Sequence, residues 1–145
     1  MSGRTILATI RVVIPAGAAK PAPPVGPALG QHGLNIMSFC KEFNAKTAGF
    51  LPEVPVPVMI TAFKDKSFEW KMRTPPTSYF VKKAAGVSSG GGRPGHGMTA
   101  AISLKHVYHI AKLKQQDEGS HHIPLISMCK SVIGAAKSMG IEVIR

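Results

Sequence analysis

Three groups of residues have types and spacings that could do chemistry. Gly90, Gly92 and Gly95 fit the G-x-G-x-x-G pattern that cradles a pyrophosphate, and Asp117 and Glu118 follow near the distance of a ribose-binding acid. His106 and His109 stand three apart and are followed by His121, His122 and Cys129, a set that could ligate zinc. Serines, histidines and acids also supply the raw material of nucleophilic catalysis. Each group lacks its context. The glycines follow a helix end, where the dinucleotide pattern needs a preceding strand, and no Gly-Lys-Ser/Thr completes a phosphate loop. No second cysteine pair exists, and the histidine spacing fits no zinc finger or ribbon. No nucleophile elbow is present, and Glu42 and Glu53 are single acids in basic surroundings. No catalytic residue, cofactor or metal is expected, which leaves binding.

The binding candidate is Lys82–Gly97, KKAAGVSSGGGRPGHG. It holds Lys82, Lys83, Gly86, Ser88, Ser89, Gly90, Gly91, Gly92 and Arg93, with no acid and no large apolar side chain. Such a stretch buries too little surface to offset its backbone entropy, so alone it is expected to be a mobile, cationic loop. Bare amides and a guanidinium suit a polyanion, because glycine lets backbone approach phosphate closely.

Composition agrees. The chain has 145 residues, a formal charge of +11, 44% apolar and 17% charged residues, which describes a folded basic protein and excludes a disordered basic tail. The charge does not locate the site, since residues 1–73 carry nine Lys/Arg against four acids and residues 74–145 nine against three. Two distant cysteines in apolar helical patterns read as reduced, buried thiols. No apolar run approaches a membrane span, and the N-terminus carries neither a secretory signal nor a long Arg/Ser-rich transit helix.

The elements that must position this loop follow from periodicity. Ile6, Ala8, Ile10, Val12 and Ile14 alternate as one face of a strand. Ala16 to Gly33, with Pro21, Pro23, Pro24 and Pro27, is a stiff extended lead into at most a short helical turn; it is either a surface ridge offered to a partner or a plain connection. Asn35 caps a helix whose Ile36, Phe39, Cys40 and Phe43 form a buried stripe. Val54–Phe63 is a strand whose Pro55 and Pro57 must lie where no ladder donor is needed, and Phe68, Trp70 and Met72 alternate after a turn at Asp65–Lys66.

Thr74-Pro75-Pro76-Thr77 is the domain boundary, a short stiff hinge. Beyond it come a helix over Tyr79–Ala85 closed by Gly86, the glycine loop, and a brief strand at Thr99–Ile102. A helix capped by Ser103 follows, its apolar side made of Leu104, Val107, Tyr108, Ile110, Ala111 and Leu113. The last helix, Pro124 to Met139, has an apolar stripe of Leu125, Met128, Val132, Ala135, Ala136 and Met139, and a final strand spans Ile141–Ile144. Its other face bears Lys130, Ser131, Gly134, Lys137 and Ser138, small or basic residues that can lie against an RNA groove. The expected fold is α+β: an N-terminal domain (1–73) with a small antiparallel sheet and a packed helix, the hinge (74–77), and a C-terminal three-helix RNA-binding bundle with a short two-stranded ribbon (78–145).

The runs PAPPVGPALGQHGLNIMSFCKEFNAKT (Pro21–Thr47), TPPTSYFVKKAAG (Thr74–Gly86) and SVIGAAKSMGI (Ser131–Ile141) closely resemble, in order, the family of the eleventh protein of the large ribosomal subunit. The resemblance covers essentially the whole chain. It implies a non-catalytic, two-domain protein, monomeric within the ribosome, at the base of the stalk. Its C-terminal domain would bind the GTPase-associated region of large-subunit rRNA. Its N-terminal domain would face the translational GTPases known as elongation factors, and stalk ribosomal proteins would be further partners. By position, the glycine loop through Arg93 matches the segment that orders on rRNA. Gly134, Ala135, Lys137, Ser138, Met139 and Gly140 match the helix end laid in the RNA minor groove. Pro23, Pro24, Val25, Gly26 and Pro27 match a ridge facing factors and thiazole-peptide antibiotics, with Pro21 at its start. Bacterial members usually have Thr at the position of Ala135 and Lys near Ala101. TSYFVKKAAG, LKHVYHIAKLKQQDE and RPGH look more like mitochondrial members. That implies a ribosome-bound protein of the mitochondrial matrix; a bacterial or plastid ribosome is the alternative.

The rival readings are a small nucleotide-using enzyme built on the glycine loop and a free DNA- or membrane-binding module. Saturable binding of NAD or ATP would select the first, and failure to co-sediment with large ribosomal subunits the second.

Overall fold

The computed structural model describes residues 3–145. The chain divides into two compact units, one ending at Arg73 and the other formed by Thr74–Arg145. Each unit has its own apolar core. The architecture is α+β, with five strands and five helices among the described residues.

In the first unit, β1 (Ile6–Pro15), β2 (Pro55–Phe63) and β3 (Phe68–Met72) form an antiparallel sheet in the order β1-β2-β3. Val56, Val58, Ile60 and Ala62 of the central strand face inward at every second position. Helix α2 (Ile36–Lys46) covers that face, and Asn35 Oδ1 accepts from the amide of Ser38 at its N-terminus, as the capping pattern predicts. The Phe39 ring meets Phe68 and Trp70 of β3 edge-on, at centroid separations of 6.2 and 5.5 Å. Trp70 Nε1 donates to Glu42 Oε2 at 3.0 Å, which gives that isolated acid a structural task.

Two details differ from the alternation read in the sequence. A register shift between Ile6 and Ala8 turns Ile6 out of the inward row, and it is 58% exposed. The proline-rich lead also contains a complete short helix, α1 (Val25–Gly30), with Val25 and Leu29 in the core. Pro55 and Pro57 sit on the central strand. The Pro57 carbonyl accepts from Arg73, just past the end of β3. By alternation Pro55 faces the same flank, so the missing donors point where β3 has stopped.

In the second unit, α3 (Thr77–Ala85) is closed by Gly86 in the left-handed region at φ +72°, where its amide and that of Val87 reach the carbonyls of Lys83 and Lys82. Strand β4 (Ala100–Ser103) leads directly into α4 (Leu104–Gln115), and α5 (Leu125–Ser138) leads through Gly140 into β5 (Ile141–Ile144). β4 and β5 pair in parallel. Val81, Ile102, Val107, Ile110, Ala111, Val132, Ala136 and Ile141 make the core. The apolar side expected for α4 is therefore too wide: Val107, Ile110 and Ala111 are buried, whereas Leu104, Tyr108 and Leu113 lie exposed. Leu113 and Leu104 occupy the flanks of the stripe, where they are only partly covered. His106 Nδ1 lies 3.3 Å from the Ser103 amide and 3.0 Å from its hydroxyl, so this histidine completes a capping box.

Candidate nucleic-acid interface

The interface is built where the glycine loop returns to the C-terminus of α5. Helix α5 buries Val132 and Ala136, one turn apart, and this fixes which side remains free. Lys130, Ser131, Gly134, Lys137 and Ser138 are all exposed on that side, while Ala135 and Met139 are half-buried at its border. Ser131 and Ser138 donate their hydroxyls to the carbonyls of Ser127 and Ala135, so neither side chain projects far from the helix. A Cβ added to Gly134 would meet nothing within 4 Å. The fold therefore does not require glycine there, although glycine inside a helix costs stability.

The loop is stitched to this helix end. Gly91 donates to the Met139 carbonyl and Thr99 to the Gly140 carbonyl, both at 2.8 Å. Gly140 stands at φ +72°, the left-handed conformation that ends the helix. The fit is close: a Cβ on Gly91 would come within 2.6 Å of Thr99 Oγ1, and one on Gly90 within 3.2 Å of Met139. The sequence predicts a free loop, whereas the described segment is pinned at Gly91 and again at Thr99. Between those points Gly92, Arg93, Pro94, Gly95, His96, Gly97 and Met98 are exposed. Ser88 and Ser89 are exposed on the approach, and Lys82 and Lys83 occupy the last turn of α3. Among the described residues none of Lys82, Lys83, Arg93, Lys130 and Lys137 forms a salt bridge, so their charge is available to an external anion.

The boundary residues are fixed from the far end of α4. The Thr74 amide and hydroxyl donate to the two carboxylate oxygens of Asp117, at 2.9 and 2.7 Å. Lys114 Nζ reaches Asp117 at 3.3 Å, Thr74 Oγ1 at 3.1 Å and the Pro75 carbonyl at 3.3 Å. Burial alone would raise the Asp117 carboxyl, but the Thr74 hydrogen bonds and the Lys114 ammonium outweigh it and hold the group below the ordinary carboxylate range. Pro76 precedes α3, and Thr77 is its first residue. Sequence reasoning singled out Asp117 only as a ribose acid and missed its bond to Thr74, which lies 43 positions away.

In the first unit the proline-rich segment is held by α2. Gly17 donates to Thr47 Oγ1 at 2.9 Å, and Asn44 bonds both the amide and the carbonyl of Ala19, at 3.0 and 3.2 Å. Pro21, Pro23, Pro24 and Pro27 are exposed and Gly26 is half-buried. Val25 is the exception among the residues expected on this ridge: at 2% exposure its side chain belongs to the core, because it anchors α1.

The histidines that tempted a zinc reading are dispersed. His106 caps α4, and no group of three or more His, Cys, Asp or Glu is placed to hold an ion among the described residues. Cys40 lies in the first core, where burial pushes its thiol up, and Cys129 is half-exposed in the second unit. No helix among the described residues is long and apolar enough to cross a membrane.

An exposed basic, glycine-bearing helix face joined to a pinned cationic loop can receive a sugar–phosphate backbone at close range. Comparison with known proteins agrees with that chemistry. Residues 73–143 match the description "Ribosomal protein L11, RNA binding domain", and residues 10–68 match "Ribosomal protein L11, N-terminal domain". The chain is also similar to "Large ribosomal subunit protein uL11m" of Schizosaccharomyces pombe, with 50% identity over 135 residues, covering 93% of this chain and 94% of that protein. Matched along both units and in the same order, the chain belongs to the ribosomal protein L11 family.

Proposed function

We propose that this protein, a non-enzymatic ribosomal protein, holds the GTPase-associated region of large-subunit rRNA at the stalk base of a mitochondrial ribosome. Residues 78–145 act as the rRNA-binding helical domain and residues 1–73 as the factor-facing domain, joined by a hinge at Thr74–Thr77. The observation that carries this reading is Gly134: an exposed mid-helix glycine with open space above it, flanked by Lys130 and Lys137, on the helix whose C-terminus is tied to the loop. That surface is shaped for a backbone to approach, and its charges would supply affinity while the RNA's shape supplies selectivity. The contacting set is Lys82, Lys83, Gly86, Ser88 to Arg93, Lys130, Ser131, Gly134, Ala135 and Lys137 to Met139; Gly140, expected among them, is buried and holds the loop from beneath. The exposed prolines Pro21, Pro23, Pro24 and Pro27 form the ridge presented to translational GTPases and stalk proteins, with Val25 holding it from beneath. The mitochondrial setting is supported by the Schizosaccharomyces pombe relative and by the resemblance of TSYFVKKAAG to mitochondrial members.

The test is titration of the full chain against an rRNA fragment carrying the GTPase-associated region, over a range of salt concentrations. Tighter binding than to a simple hairpin of equal length, with a steep salt dependence, is the expected result. Equal affinity for both RNAs would overturn the proposal.

A further inference from the structure

Beside the basic face of α5 lies a cleft of about 420 Å³ lined by Met98, Leu104, Ile133, Lys137, Val143 and Ile144, with Glu142 and Arg145 at its margin. Ile133 and Val143 also pack against the second core, but three of the cleft's apolar residues do not. Met98 is 60% exposed, Leu104 44% and Ile144 48%. They come from three separate places: the end of the glycine loop, the first residue of α4 and the last strand. Such convergence leaves a wettable pocket with greasy walls, which the isolated fold gains nothing by building.

Its position says what fills it. Ile133 and Lys137 are four apart, one turn along α5, and Lys137 also belongs to the exposed row with Lys130 and Gly134. The cleft is therefore the edge of the RNA-facing surface, and a strand crossing that surface passes its mouth. Lys137 brings an unpaired ammonium from that exposed row to the cleft, where it can neutralise a phosphate. An apolar slot beneath a phosphate-binding rim has the chemistry of a nucleotide: a flat base to bury and an anion to neutralise.

We infer that this cleft captures one unstacked nucleobase of the bound RNA, held among Met98, Leu104, Ile133 and Ile144, with Lys137 on its phosphate. The inference rests on the RNA-binding reading above and adds a specific pocket to it. It also gives the pinning of the loop a use. Thr99, tied to Gly140, sets Met98 over the slot, so the wall is in place before RNA arrives.

The experiment uses the full chain and fragments of the GTPase-associated region in which 2-aminopurine replaces each unpaired purine in turn. This base brightens when it leaves the stack, and no aromatic side chain lines the cleft to quench it. One labelled position is expected to brighten on binding, and Met98→Ala with Leu104→Ala should abolish that signal and weaken binding about tenfold. Normal, salt-dependent binding with no position brightening, or a signal that survives the double substitution, overturns the cleft assignment and leaves the proposed function standing. Failure of every labelled RNA to bind overturns the proposed function, and this inference with it.

Discussion

The Gly91 amide donates to the Met139 carbonyl at 2.8 Å, which makes the glycine loop and the C-terminus of α5 a single piece of structure. Two segments separated by nearly fifty positions in the chain thus present their backbone and charge together. A partner that touches one meets the other already in place.

The closeness of that joint gives a first prediction. A methyl group at position 91 would lie 2.6 Å from Thr99 Oγ1, so Gly91→Ala must displace the Thr99 side chain or the loop. Destabilisation of about 1–2 kcal/mol is expected by chemical denaturation. Adding Thr99→Ala should recover much of the loss; no recovery would mean that the strain lies elsewhere.

Gly134 predicts opposite signs in two assays. With open space around its missing side chain, Gly134→Ala should stabilise the free protein by about 0.5–1 kcal/mol, because alanine loses less backbone freedom on entering a helix. The same substitution should weaken RNA binding, and Gly134→Leu should weaken it further while the protein stays folded. Thermal melts and RNA titrations on the same samples check both signs, and unimpaired binding by the leucine variant would remove Gly134 from the interface.

Phosphate contacts are counted by salt. Arg93→Ala and Lys137→Ala should each lower affinity and reduce the slope of log K against log salt by about 1. An unchanged slope for either variant would show that its cation does not sit on a phosphate.

Asp117 makes the second unit sensitive to acid. Its carboxyl is held below the ordinary range in the folded state, so the carboxylate's contribution is complete above the unfolded carboxyl value and is lost as pH falls through the folded one. Stability should therefore decline on acidification below about pH 4. Asp117→Ala should flatten that decline and cost about 1–3 kcal/mol at neutral pH, since it strands the Thr74 amide and a largely buried Lys114. Denaturation curves for both proteins across pH provide the check.

Much of this architecture is legible from local pattern. Alternation marks the strands, Asn35 and Ser103 announce helix starts, and Gly86 and Gly140 close helices at φ +72° as their positions suggest. The exposed face of α5 follows from spacing alone, because burying Val132 and Ala136 leaves only one side for Lys130, Gly134 and Lys137. What the sequence hides depends on distant partners. Four prolines mask α1, which exists because Val25 and Leu29 find a core supplied by other elements. The bonds of Asp117 to Thr74, of Thr47 to Gly17 and of Gly91 to Met139 each join positions 30 or more apart, so no local periodicity records them. The cleft beside Lys137 is hidden for the same reason, since its walls come from a loop, two helices and a strand.

Pro55 and Pro57 carry a last consequence. Where β3 ends, the Arg73 amide still meets the Pro57 carbonyl but the ladder stops there, and a strand that outruns its neighbour normally offers N–H groups that a second chain can pair with. Two imino acids at alternate positions withhold those hydrogens and leave only carbonyl acceptors, which makes the gap a poor template for an intermolecular ladder. Pairing with a second copy through this stretch of the central strand is thereby discouraged.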